Sequence, residues 1–220
     1  MKLSRAWVAP LLRRAIRTDV HGQLAGVWVR GPLPTGAAVL APNHHSWWDG
    51  YLLAVLAWSL GQPFTLMMTP RQLRRFPFLR RIGAVDTGQT RELLRAVRAG
   101  GWAVIFPEAA LQSAGPVRAL HPGAAWLARA SGAPLVPVAL RVVLRGAQWP
   151  EAFVRFGPPC APDHLHAVLT ELLAALDADL LASDPDQPPA GYLKWLSGRA
   201  SRHDRPSLAS QALTLLDQLE

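Results

Sequence analysis

The chain has one cysteine in 220 residues, Cys160, so no disulfide can form within it and a reducing cytosol is expected. No apolar stretch approaches the roughly 20 residues that a helix needs to span a bilayer. Acidic residues are scarce, 15 Asp and Glu against 23 Lys and Arg, for a formal charge of +8. The excess lies in arginine-rich segments and not in a tail, which points to an anionic partner. No nucleic-acid-binding motif accompanies it, so nucleic acid is not expected. The amino end lacks a small-residue cleavage site after an uncharged apolar core, so a signal peptide is not expected either. Internal repeats and low-complexity tracts are absent. Half of the residues are hydrophobic and 17% are charged, which suits one domain with a sizeable core and a greasy surface.

A histidine and a carboxylate stand five positions apart in Asn43-His44-His45-Ser46-Trp47-Trp48-Asp49. They follow Ala37–Ala41, an apolar run that reads as a strand stopped by Pro42. Ser46 reads as a helix N-cap with Asp49 as its acidic partner, and Tyr51, Leu52, Val55 and Leu56 supply an apolar helix face. With His44 in the loop and Asp49 in the first turn, the loop can fold the imidazole onto the carboxylate. Asp49 would then accept from one ring nitrogen and leave the other free to take a proton from a hydroxyl. A capping box alone would also account for Asp49. His45 reads as a surface loop histidine, a second functional group being the alternative.

Trp102–Phe106 is a second apolar run, ending in Pro107-Glu108. Open α/β sheets deliver site residues at such strand ends, although a solvated loop carboxylate would look the same. His44, His45 and Asp49 could instead be metal ligands. His121, His164, His166 and His203 lack the spacing to complete such a set, so neither metal nor cofactor is expected.

Together, Asn-His-x-Ser-x-x-Asp at 43–49, Phe-Pro-Glu at 106–108 and Val-Pro-Val-Ala at 136–139 resemble the glycerolipid acyltransferases, nearest to the 1-acylglycerol-3-phosphate (lysophosphatidate) branch. The order of the blocks and a Pro-Gly-Ala-Ala helix before the last one also match, over roughly residues 20–160. The resemblance implies that His44 deprotonates an acceptor hydroxyl that attacks an acyl thioester, that Asp49 holds His44, and that Glu108 positions the acceptor. Pro137 would be architectural. It further implies acyl-CoA or acyl carrier protein as donor, a lysolipid or other hydroxylated lipid as acceptor, and no cofactor.

Two departures bear on the acceptor. The family's Gly-x-x-Phe-x-x-Arg-like block is Ile82-Gly83-Ala84-Val85-Asp86-Thr87 here, and its Phe-Pro-Glu-Gly-x-Arg is Phe106-Pro107-Glu108-Ala109-Ala110-Leu111. Arg91 is one replacement for the missing arginines, with Arg71, Arg74, Arg75, Arg80 and Arg81 as others, and Arg favours bidentate phosphate contacts. The expected substrate-binding set is therefore Glu108, Arg91, Thr87, Asn43 and Ser46. Lysophosphatidate is the default acceptor, for phospholipid synthesis. A non-phosphate lipid such as a glycolipid, or a non-catalytic membrane-binding relative, is the alternative.

The expected fold is α/β, a mixed central sheet flanked by helices, with an amphipathic N-terminal helix and a helical C-terminal tail. Strands are expected at Phe64–Met68, Ala84–Asp86, up to Phe106, Leu135–Ala139, Arg141–Leu144 and Phe153–Phe156. Helices are expected at Thr90–Ala99, from Pro122, and from Pro162 through Leu181. Residues 1–20 read as a membrane-associating helix, with Leu3, Trp7, Val8, Leu11, Leu12, Ala15 and Ile16 on one face and Lys2, Arg5, Arg13, Arg14 and Arg17 supplying cations. Packing of that helix on the domain is the alternative. Residues 21–182 form the acyltransferase domain and 183–220 a linker and a tail ending near Leu219. Of the nine tryptophans, Trp7, Trp47, Trp48 and Trp58 fall in the membrane and acyl-chain parts, and Trp102 and Trp126 read as core. The expected location is peripheral, on the cytoplasmic side of the cell membrane.

Overall fold

A computed structural model describes residues 7–201. The expectations placed on Lys2, Leu3, Arg5, His203 and the tail toward Leu219 lie outside the described residues.

Eight strands form one mixed sheet in the order β4-β3-β5-β2-β6-β7-β1-β8. They are β1 (Gly26–Arg30), β2 (Ala38–Pro42), β3 (Phe64–Met68), β4 (Ala84–Asp86), β5 (Trp102–Val104), β6 (Leu135–Val143), β7 (Glu151–Phe156) and β8 (Leu193–Ser197). The run from β4 to β6 is parallel, whereas β6 pairs antiparallel with β7 and β8 with β1. The central strands β2 and β5 are buried throughout, which is why they read as unbroken apolar runs and not as alternating ones.

Six helices cover the sheet: α1 (Val8–Gln23), α2 (Asp49–Ser59), α3 (Pro70–Arg75), α4 (Thr90–Arg98), α5 (Gly123–Ser131) and α6 (Leu165–Ala182). Leu40, Val104 and Val138 turn one sheet face toward α1 and α2, while Val39, Ala41 and Ala103 turn the other toward α4 and α5. Trp28, Phe153, Leu173 and Leu176 form a third, smaller cluster with α6, and the alternation within each strand builds the two main cores. The larger contains Ile16, Val20, Leu52 and Leu56, so α1 packs on the domain through Ile16 and Val20. Trp7 and Leu11 stay outside that contact, and both are exposed.

The elements depart from the sequence reading in several places, and β5 ends at Val104 and not at Phe106. Residues 193–197, expected within a helical tail, form β8, the edge strand beside β1; β1 itself was not anticipated. Two expected strands, Leu135–Ala139 and Arg141–Leu144, are the single strand β6. Trp126 is 47% exposed and not core, while Trp102 is fully buried. The helix expected from Ser46 begins at Asp49, with Ser46 opening the turn before it.

Candidate active site

β2 and β5 are parallel neighbours, so both deliver their carboxyl ends to the same edge of the sheet, where α/β folds place their sites. His44 follows one strand and Phe106-Pro107-Glu108 the other. Asn43 explains how the chain leaves the sheet. Its backbone N–H still donates to Val138 O, its side-chain oxygen accepts from Leu140 N at 2.7 Å and its amide donates to Leu140 O at 3.2 Å. The side chain thus continues the ladder on β6 while the backbone turns over the edge. Asn43 is 2% exposed and both of its polar groups are used on β6. It was expected to bind substrate; its bonds here anchor the chain to β6.

The turn then folds onto one carboxylate oxygen. Asp49 Oδ2 accepts from His44 Nδ1 at 2.9 Å, from His45 N at 2.8 Å and from Ser46 N at 2.9 Å. The helix-start role and the histidine-holding role weighed for Asp49 are therefore carried by the same atom. Ser46 Oγ accepts from Trp48 N, a turn contact, and Ser46 lines neither cavity beside His44. With Asp49 Oδ2 already accepting from two backbone N–H groups, its match is a protonated His44 Nδ1, which leaves Nε2 bare in the neutral ring. No hydrogen bond reaches Nε2 among the described residues. Phe106 stacks on the imidazole, with ring centroids 4.0 Å apart.

Glu108 is 6% exposed. Its Oε2 accepts from His44 N at 2.8 Å and its Oε1 from Arg118 N at 2.9 Å, while Gln112 N donates back to His44 O. Both carboxylate oxygens are thus spent on backbone N–H groups, tying the His44 loop to the segment after β5. Ala109, where the family has glycine, sits at φ 58°. An alanine there is strained by about 1 kcal/mol. Ala109→Gly relieves that strain but adds unfolded-state entropy worth about 0.4–1 kcal/mol, so it should raise stability by about 0.5 kcal/mol or less, a small rise in melting temperature. Thermal unfolding of the two proteins checks this.

His45 is not a surface histidine. Its side chain is 6% exposed and its Nε2 accepts from Val142 N at 3.1 Å. Burial pushes its imidazole below the ordinary 6.5; Asp49 opposes that and Arg141 adds to it. A folded state that refuses a proton which the unfolded chain accepts loses stability as pH falls below the unfolded value. Stability should thus decline as pH drops through about 6.5, and His45→Gln should flatten that decline. Melting temperatures across the range read it out.

Two cavities meet at His44. One, of roughly 170 Å³, is apolar and runs past Tyr51, Ala54, Phe64, Leu66 and Leu79, with Trp47 at its wall. The other, roughly 910 Å³, is lined by Thr87, Arg71, Arg75 and His121 and contains no carboxylate. His44, Met68, Gln72, Phe106 and Leu111 belong to both. Arg91 is exposed in the first turn of α4 and lines neither cavity, and Arg80 is paired with Asp86. Arg71 and Arg75 form no ion pair among the described residues. Phe106 was not singled out from the sequence, and His121 was weighed there only as a metal ligand. The Phe-Pro-Glu block was read for its glutamate, and an aromatic beside a histidine is visible only once two strands are paired. Among the described residues no cluster of three or more His, Cys, Asp or Glu side chains could hold a metal ion.

An imidazole held by a carboxylate thus stands at the carboxyl edge of an α/β sheet, between an apolar cavity and an arginine-lined one. The Acyltransferase family matches residues 26–141, more than half of the chain, and the protein belongs to that family. Its fold is similar to the crystal structure of the 1-acyl-sn-glycerophosphate (LPA) acyltransferase PlsC from Thermotoga maritima, with a TM-score of 0.57 and 18% identity over 83% of this chain and 85% of that one.

Proposed function

We propose that the protein transfers a fatty acyl group from a thioester, acyl-CoA or acyl carrier protein, to the hydroxyl of a lipid acceptor, with lysophosphatidate the default. The observation that carries this reading is the position of His44 where the apolar cavity meets the arginine-lined one. An acyl chain fits the first and a polar headgroup the second. His44 Nε2 takes the hydroxyl proton as the acceptor oxygen bonds to the thioester carbonyl carbon. Collapse of the tetrahedral intermediate breaks the C–S bond, and the thiolate leaves with the proton returned by His44. Asp49 holds the imidazole in the productive tautomer and offsets its transient charge.

Arg71 and Arg75 stand four residues apart on α3 beside Thr87, and they take the place of the family's missing arginines better than Arg91 does. A cavity without carboxylates suits an anionic headgroup. Residues 21–182 form the transferase domain. Residues 1–20 hold it peripherally on the cytoplasmic face of an anionic membrane, a reading favoured by exposed Trp7 and Leu11 and by Arg13, Arg14 and Arg17 on the same helix. No helix among the described residues is long and apolar enough to cross a membrane.

The deciding assay is thioester consumption with lysophosphatidate, beside a panel of non-phosphorylated hydroxyl lipids. Turnover on lysophosphatidate should carry an acceptor KM that rises about tenfold or more in Arg71→Glu/Arg75→Glu, the scale of one lost charge-assisted contact. Turnover confined to non-phosphate lipids would favour the second reading, which Thr87 and Leu111 support by standing where the family has arginines. No turnover on any lipid would refute both.

A further inference from the structure

β2 ends at Pro42, whereas β6 runs on to Val143. The N–H groups of Leu140 and Val142 therefore face the place that β2 has vacated, and a buried N–H needs an acceptor. Asn43 Oδ1 takes the first at 2.7 Å and His45 Nε2 the second at 3.1 Å. The two side chains stand in for two more residues of strand. A ring nitrogen that accepts carries no proton, so the proton of His45 lies on Nδ1.

That Nδ1 is 3.8 Å from Asp49 Oδ1, and both atoms are buried without any hydrogen-bond partner. At this length the contact is electrostatic, and closing it by somewhat under about 1 Å would make it a hydrogen bond. Asp49 Oδ2 already has three donors; Oδ1 faces this N–H alone. We propose that His45 is a positioning residue for the His44–Asp49 pair: its Nε2 docks the loop on β6, and its Nδ1–H fixes the second oxygen of Asp49. The carboxylate then cannot rotate away from His44. The charged and titratable groups around His45 are Asp49 and His44 on its own loop, Arg141 on β6 and Asp177 on α6.

The inference rests on the acyl-transfer reading, and its test separates the two. In the wild-type protein, nitrogen-15 spectra near neutral pH should show His45 protonated on Nδ1 and bare on Nε2, whatever the protein catalyses. In the transfer assay His45→Phe, which keeps the ring volume but no polar atom, should lower kcat about tenfold, the scale of one buried hydrogen bond. It should leave both KM values unchanged, because the loss falls on the positioning of the base and not on binding. His45→Gln, with an acceptor and a donor of its own, should recover part of kcat and decides the matter where the phenylalanine variant does not fold. An Nε2-protonated His45 would overturn the proposal, as would variants that melt earlier yet keep wild-type kcat. A wild-type protein that transfers nothing would defeat the acyl-transfer reading and leave the spectra to judge His45.

Discussion

His44→Ala should lower acyl transfer by about a thousandfold, within the range that a positioned general base contributes, and leave the fold in place. The expectation of an intact fold comes from where the structural bonds of this residue lie. His44 ties the loop through its backbone, N–H to Glu108 and C=O from Gln112, and alanine keeps both. What is lost from the ring is the stack on Phe106, worth about 1 kcal/mol, and one of the three donors to Asp49 Oδ2. The side chain is 24% exposed, so water can fill the space. Asp49→Asn should show the same asymmetry less cleanly, because its oxygen still accepts from the His45 and Ser46 N–H groups but no carboxylate remains opposite the imidazolium. Transfer measured beside thermal unfolding separates the effects. Wild-type turnover in His44→Ala would remove the general-base assignment altogether.

The sheet was legible in the sequence where a short apolar run is bounded by turn residues. Phe64–Met68 and Ala84–Asp86 stand where the apolar runs put them, and the helix at Thr90 ends within a residue of its expected end. β1 and β8 were not legible for opposite reasons. Gly26–Arg30 is short and opens on a glycine, and its partner β7 lies far along the chain. Leu193–Ser197 borrows its pairing from β1 and has an exposed face, so its sequence reads as polar tail. Pairing between distant segments overrides local preference at such edges.

At the site, spacing could bring His44 and Asp49 together because both sit on one short turn. It could not reveal that Asn43 and His45 spend their side chains on β6, since that depends on β6 outrunning β2. Nor could it choose among the arginines. Arg71, Arg75 and Arg91 are alike in sequence, and only the seating of α3 beside Thr87 and His121 separates them. Ala109 holds a left-handed backbone, a conformation that an alanine in the sequence does not announce.

Glu108→Gln offers the sharpest division between two roles for the same residue. A glutamate that grips the acceptor directly would raise the acceptor KM when neutralised and leave the chemical step largely alone. The structure commits both oxygens to backbone N–H groups, at His44 and Arg118. Glutamine has one oxygen to offer, so its amide must confront one of those N–H groups donor to donor, in a site 6% exposed. The lost charge-assisted bond is worth about 1.5–3 kcal/mol. If that loss is borne by the His44 loop, kcat falls by about tenfold to a hundredfold while the acceptor KM stays within about twofold, because misplacing a base costs rate and not affinity. A KM effect that exceeds the kcat effect would return Glu108 to the acceptor and show that its backbone bonds open when substrate binds. Measured beside Arg71→Glu/Arg75→Glu, whose effect should fall on KM, the pair distinguishes residues that hold the catalytic loop from residues that hold the lipid.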